Sequence, residues 1–284
     1  EEKQKQPSFF CPFGFQFIYL IHRSLSNIFM TLDPKAALFQ LTPRTILILL
    51  ALATVLAAVL YGYDVPGYPV LDDQPNLDII SMLHQGAEGN SAVWQLVWGN
   101  HSGMSPRAIP MLSFVVDGLR APDDLAAMRV TNIILHLAIG WVLFGWLTTL
   151  LGALAFPRRT VVSVSAVVAA LWILAPIQIS TVYYPVQRMA MWPVLLILLA
   201  LWHYTWLRGA LLNSRPRAAL IHLLVIYLVW LPLAWLSKET GVLLPLFLAL
   251  LECGLLSHLA SPLGPWLRRG HRLVVGLFVA GAAY

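Results

Sequence analysis

Charge is scarce in this chain: Asp, Glu, Lys and Arg together make up 11% of 284 residues, while 59% are hydrophobic. That is too little charge to clothe a soluble globule, whose surface is where such residues collect. Cysteine is also nearly missing. Its two copies, Cys11 and Cys253, lie far apart, and Cys253 sits beside Glu252 inside an apolar run, so neither a disulfide framework nor a metal site follows from them. The formal charge of +5 is not gathered on a face, because Lys and Arg stand singly or in short groups between apolar stretches. Nucleic acid is excluded as a partner on that ground.

Long apolar runs are what the chain has instead. They recur at about twenty residues, the length that crosses a hydrocarbon core, so the chain reads as an integral membrane protein. Six stand out, at 45–62, 127–154, 160–179, 190–208, 218–236 and 241–257, and a seventh begins near 273. The expected fold is an all-α polytopic bundle of seven spans. Because the seventh run stops at Tyr284 after about a dozen residues, too few to cross, the chain is expected to be a fragment whose C-terminal part is missing.

The connectors set an expected orientation. Lys35 and Arg44 precede the first run, Arg158 and Arg159 follow the second, Arg208, Arg215 and Arg217 follow the fourth, and Arg268, Arg269 and Arg272 follow the sixth. Every second connector is therefore basic and should face the cytoplasm. Residues 1–44 form a cytoplasmic N-terminal segment on this reading, and 45–284 the membrane domain, in what is expected to be a bacterial inner membrane. Residues 1–29 fit less well: FFCPFGFQFIYLIH is short for a span, which suggests an interfacial helix or a non-native extension ahead of Met30. No signal-peptide cleavage pattern is present, so the first good span is expected to stay as an anchor.

Most of the acids fall in the connector 63–126, which would lie outside as a large loop. Within it LDIISMLHQG, SAVWQLVWG and AIPMLSFVVDGLR carry apolar residues at roughly helical spacing, predicting short surface helices, with Trp94 and Trp98 on one face as interfacial anchors. The loop opens with YPVLDDQPNL, where Asp72 and Asp73 are adjacent. Asp beside Pro and Asn commonly caps helices and builds turns. A carboxylate held at a membrane surface can also be a general base, taking a proton from an acceptor hydroxyl as it attacks a sugar carbon. Further polar groups gather at the same ends of the runs: Arg107 in NHSGMSPRAIPMLSF, Asn132 and His136 in TNIILHLAIG, Gln187 and Arg188 in LAPIQISTVYYPVQRMA, and Lys238 and Glu239 in WLSKETGVLLPL.

LDDQPNL, the segment Arg107 to Phe114, TNIILHL, ISTVYYPVQRM and SKETGVLLPL occur in that order in bacterial polytopic proteins that often carry C-terminal tetratricopeptide repeats. The chain resembles these from about Tyr61 to Leu256, and through them the O-mannosyltransferases with transmembrane and tetratricopeptide regions, of the C superfamily of glycosyltransferases (GT-C). The resemblance implies transfer of a sugar from a polyprenyl-phosphate donor to a protein or glycan acceptor on the outer face. The acidic motif then falls on Asp72 and Asp73, and Arg107, Gln187, Arg188, Lys238 and Glu239 are the candidate substrate and phosphate contacts. No cofactor is identified, and no side chains are spaced as a metal shell; His136 has no partner at suitable spacing. Membrane lipid is the remaining expected partner.

Each candidate has a plainer reading. Arginines at span ends snorkel to headgroups. Lys238 and Glu239 can pair with each other. Asn132 and His136 can tie helices together by hydrogen bonds. Trp202, Tyr204 and Trp206 near a cytoplasmic end read as an aromatic belt. The chain as a whole could be a non-catalytic scaffold or assembly protein, or a lipid or solute carrier, though two similar halves with broken spans are not evident.

Overall fold

The computed structural model describes residues 41–63, 73, 77, 90–99, 107–121, 124–210, 216–256, 269, 270, 273 and 276. Among these every element is helical. Asp72, the segment 1–29 and nearly all of the seventh apolar run lie outside the described residues.

Helix α1, Pro43–Gly62, starts where Thr42 accepts a hydrogen bond from the Thr45 N–H and proline fills the first helical position. Two shorter helices follow, α2 Asn90–Trp98 and α3 Ala108–Arg120. In α2 Val97 is buried while Trp94 and Trp98 are exposed, which agrees with the shared aromatic face expected of them. Helix α4, Leu125–Ala153, begins at Asp124, whose carboxylate accepts from the Ala127 N–H. Helix α5 is Arg158–Leu174 and the short α6 is Ile179–Tyr183. Helix α7, Arg188–Ala210, is followed by α8 Pro216–Val225, α9 Leu231–Ser237 and α10 Leu244–Leu250. Helices α1, α5, α4, α7 and α9 pack in that spatial order, each on the next.

Among the described residues four stretches are long and apolar enough to cross a membrane: Pro43–Gly62, Leu125–Ala153, Pro185–Gly209 and Arg217–Ser237. They are compatible with an integral membrane protein, and they become five if the bent pair within 158–183 is one span; seven spans are not found among the described residues. The expected run 160–179 is two pieces, Arg158–Leu174 and Pro176–Tyr183, bent by 46°. Pro176 causes the break, since it cannot donate to the preceding turn and disfavours helical backbone at Ala175. The expected run 241–257 is also not one α-helix. It consists of a 3₁₀ turn Glu239–Leu243, α10, and a π turn Leu251–Leu255.

Small residues set the closest approaches. A Cβ added at Gly145 would enter the Trp202 ring, and one added at Gly241 would enter the backbone of Ala234 and Trp235. Backbone cannot step aside as a side-chain tip can. Gly241→Ala should therefore destabilise the protein by about 1–3 kcal/mol, measured as a lower denaturation midpoint in detergent, whereas Gly152→Ala, with open space at its Cβ, should leave it unchanged.

At one end of the bundle, called here the Arg208 end, lies a buried group that hydropathy did not reveal. Arg208 donates from Nε to Glu252 Oε2 at 2.6 Å and from Nη2 to Glu252 Oε1 at 2.9 Å, and the Tyr204 hydroxyl donates to Oε2 at 3.0 Å. Tyr204 is thus a core residue and not part of an aromatic belt. Trp202 donates to Thr149, and of the three aromatics Trp206 is the exposed one.

Candidate functional site

The opposite end, where α1 finishes and α4 begins, holds a larger set of charges. Its foundation is one face of α4. Arg129, Asn132 and His136 are spaced by three and four residues, which brings them to the same side of a helix, and all three are buried. They face the chain that links α5 to α7. Between Pro176 and Pro185 that link cannot remain a regular helix, and Tyr184 takes the extended backbone favoured before proline, at φ −86° and ψ 110°. Its carbonyls consequently lose the regular α-helical ladder, and in apolar surroundings they need further donors.

Two side chains reach these carbonyls, and a third holds the N–H that follows. The two N–H groups of the Asn132 amide are shared among the carbonyls of Val182 at 3.2 Å, Tyr184 at 3.0 Å and Pro185 at 3.4 Å. Arg129 donates from Nε to the Tyr183 carbonyl at 2.7 Å. Asp73 Oδ1 accepts from the Val186 N–H at 2.9 Å, and Oδ2 lies 4.0 Å from Arg129 Nη2. Every backbone carbonyl from Val182 to Pro185, and the N–H that follows, is therefore held by a side chain from another part of the chain. His136 closes the same interface one turn deeper through Nε2 and the Ile173 carbonyl, 3.0 Å apart. Asn132 and His136 follow the plainer expectation of tying helices together.

Arg188 locks Asn132 in turn. Its Nε donates to Asn132 Oδ1 at 2.8 Å, Nη1 to the Ser113 hydroxyl at 3.3 Å and Nη2 to the Met128 carbonyl at 2.6 Å. Asp117 Oδ2 lies 2.7 Å from Nη2, and the guanidinium stands 4.4 Å above the Phe114 ring. With a side-chain exposure of 0%, Arg188 neither snorkels nor presents itself to a lipid phosphate. The expected phosphate contact is here the pin that joins α3, α4 and α7. The reason is local supply: four acceptors surround it, and a buried guanidinium requires them.

The second expected cation is placed differently. Arg107 precedes α3 in the left-handed region, φ 48° and ψ 34°, a conformation that a branched or long side chain adopts only when its surroundings hold it there. Its Nη2 donates to Glu239 Oε1 at 3.3 Å and its Nη1 to the Met189 sulfur at 3.5 Å. Side-chain exposures of 15% for Arg107 and 37% for Glu239 leave this pair only partly buried, unlike the enclosed Arg188–Asp117 pair. Glu239 thus pairs with Arg107 and not with its neighbour. Among the described residues the half-buried Lys238 ammonium has no hydrogen bond or ion pair, and the Gln187 side chain is exposed.

Of the candidate residues, the structure brings Asp73, Arg107, Arg188 and Glu239 to one end of the bundle, with Lys238 and Gln187 adjacent in sequence to members of that group. Asp72 is outside the described residues but is bonded directly to Asp73. Arg129, Asp117 and Ser113 were not singled out from the sequence. A signal existed for Arg129, because an ionised residue inside an expected apolar span is costly and points to a site; Asp117 and Ser113 show no such pattern. Among the described residues no group of three or more His, Cys, Asp or Glu side chains is arranged to hold a metal ion.

No family model, curated protein or solved structure matches the chain.

Proposed function

We propose that this chain is a membrane glycosyltransferase that moves a sugar from a polyprenyl-phosphate donor to a protein or glycan acceptor. The observation that carries the reading is the grouping of Asp73, Arg107, Arg129, Arg188, Asp117 and Glu239 at one end of an otherwise apolar bundle. Charged groups near hydrocarbon are expensive to maintain, and they mark sites. In the reaction the bond between the sugar's anomeric carbon and the phosphate oxygen breaks, and a bond from the acceptor oxygen to that carbon forms. The acceptor's proton passes to a carboxylate, and polyprenyl phosphate leaves with its negative charge.

Asp72 is assigned as that carboxylate and Asp73 as its positioning neighbour, since Asp73 is already engaged by Val186 and Arg129. Arg107 and Lys238 are assigned to the phosphate, Glu239 being the carboxylate that Arg107 releases when phosphate arrives. A phosphate would exchange one anionic partner of the Arg107 guanidinium for another, so the cation keeps a counter-charge throughout. Combining Arg107→Gln with Lys238→Gln should raise the donor's KM by about tenfold or more, two charge-assisted contacts being lost, with the acceptor's KM unchanged. An unchanged donor KM would remove both residues from the phosphate site.

The chemistry requires this end to face away from the cytoplasm. Arg158, Arg159, Arg208 and Arg217 lie at the other end, which supports that orientation. In a protein with Cys11 and Cys253 changed to serine, Glu88→Cys and Ser214→Cys should label from opposite sides of the membrane, Glu88→Cys from outside. Labelling of both from one side would overturn the orientation.

A non-catalytic scaffold is the second reading, and one observation favours it: the Asp73 carboxylate is fully buried and holds the Val186 N–H, as a purely structural clamp would.

A further inference from the structure

The turn after α6 is fixed more tightly than a connector needs. Arg129, Asn132 and Asp73 hold its backbone from Val182 to Val186, and those three side chains are themselves buried. What the clamp presents is specific. Tyr183 packs inward against the cluster of Tyr61, Ile173 and Val182. Tyr184 is only half-buried, belongs to none of the apolar clusters, and its hydroxyl has no partner among the described residues. The Gln187 N–H donates to the Tyr184 carbonyl at 3.0 Å, closing a 3₁₀ turn. That bond ties the backbones of Tyr184 and Gln187 across one turn, with Tyr184 extended at its start and the exposed Gln187 at its end, and Val186 between them is tied to Asp73.

We propose that Tyr184 and Gln187 form a sugar-recognition edge, resting on the glycosyltransferase reading for the source of the sugar. A pyranose offers a flat face of C–H groups and a rim of neutral hydroxyls that donate and accept. A tyrosine ring matches the face. A primary amide, with two donors and one acceptor oxygen and no charge, matches the rim. A phosphate would call for cations, which sit instead at Arg107 and Lys238. The clamp supplies the remaining requirement, because a polar contact gives selectivity only when its geometry is held. Arg129, Asn132 and Asp73 are thus positioning residues for this edge, and Tyr184 and Gln187 the contacts.

The test is kinetic and uses the full-length protein in phosphatidylcholine nanodiscs free of glycoside detergent. Tyr184→Leu and Gln187→Ala should each raise one KM by about tenfold, as expected for one lost contact, with kcat within about twofold of wild type, and Tyr184→Trp should restore the KM. A rise in the donor's KM assigns the edge to the donor sugar; a rise in the acceptor's KM assigns it to an acceptor glycan. Measurable transfer with both KM values unchanged in both variants overturns the edge and leaves the glycosyltransferase reading in place. If wild type transfers nothing, saturation-transfer NMR with methyl manno- and glucopyranoside decides. Saturation of a hexoside by wild type that Tyr184→Leu abolishes sustains the edge without the enzyme; no saturation by wild type overturns it.

Discussion

Arg188→Met should lower the stability of the protein in detergent by about 3–5 kcal/mol, the cost of leaving a buried charge without its partner. Asp117 is the charge left behind, 2.7 Å from the lost guanidinium. Asn132 Oδ1 loses its Arg188 donor in the same step, and the Met128 carbonyl and the Ser113 hydroxyl each lose one donor, Ser113 keeping the Trp192 N–H. Domains are stable by only about 5–15 kcal/mol in total, so this one change consumes a large share. Adding Asp117→Leu should return part of the loss, since removing both members of a buried pair is far less costly than removing one. The return should be incomplete, because the acceptor of Asn132 is still unfilled. A single variant as stable as wild type, or a double variant less stable than the single, would contradict the network as described. The readout is the denaturation midpoint of the purified protein, followed by tryptophan fluorescence.

Arg188 also shows where a sequence stops being informative. Its position at the start of an apolar run was plain, but its partners stand 56, 60 and 75 positions away, and hydropathy carries no record of such pairings. An arginine at a span end has two outcomes, headgroup or interior, and the neighbours decide between them. Asn132 and His136 were easier, because their spacing of four on an apolar helix already placed both on one face. Tyr204 was misplaced for the same reason as Arg188. Nothing near it in sequence shows Glu252, 48 positions on, whose carboxylate accepts a hydrogen bond from its hydroxyl. The bend at Pro176 was legible in principle, since Ala175–Pro176 interrupts the run, but continuous hydropathy on both sides concealed the break. Long apolar helices and the end at which polar groups gather were readable; which polar group meets which was not.

Asp72 and Asp73 should part company when each is changed to asparagine. Asp73→Asn keeps an oxygen for the Val186 N–H but removes the negative charge 4.0 Å from the buried Arg129. Its main effect should be lost stability and a rise in KM for whichever substrate the clamped turn contacts. Asp72→Asn should leave folding and insertion intact and reduce kcat by about a hundredfold or more, the usual consequence of losing a general base. If the pair served only as cap and turn, Asp72→Asn would be nearly silent, because asparagine caps a helix about as well as aspartate. The adjacency has a simple physical use on this account. Consecutive Cα atoms are about 3.8 Å apart, so anchoring one carboxylate fixes the backbone from which the other works. Two variants with equal, purely structural defects would assign both residues to the clamp.

The most direct test of the central claim is release of labelled hexose from polyprenyl phosphate by the full-length protein in proteoliposomes, scored as loss of label from the lipid fraction so that any acceptor, water included, is counted. Wild type should release label from at least one hexose donor, and Asp72→Asn should do so at least about a hundred times more slowly while remaining folded. Equal release by the two proteins, or no release by wild type from any donor offered, would contradict the assignment of this end of the bundle as a sugar-transfer site.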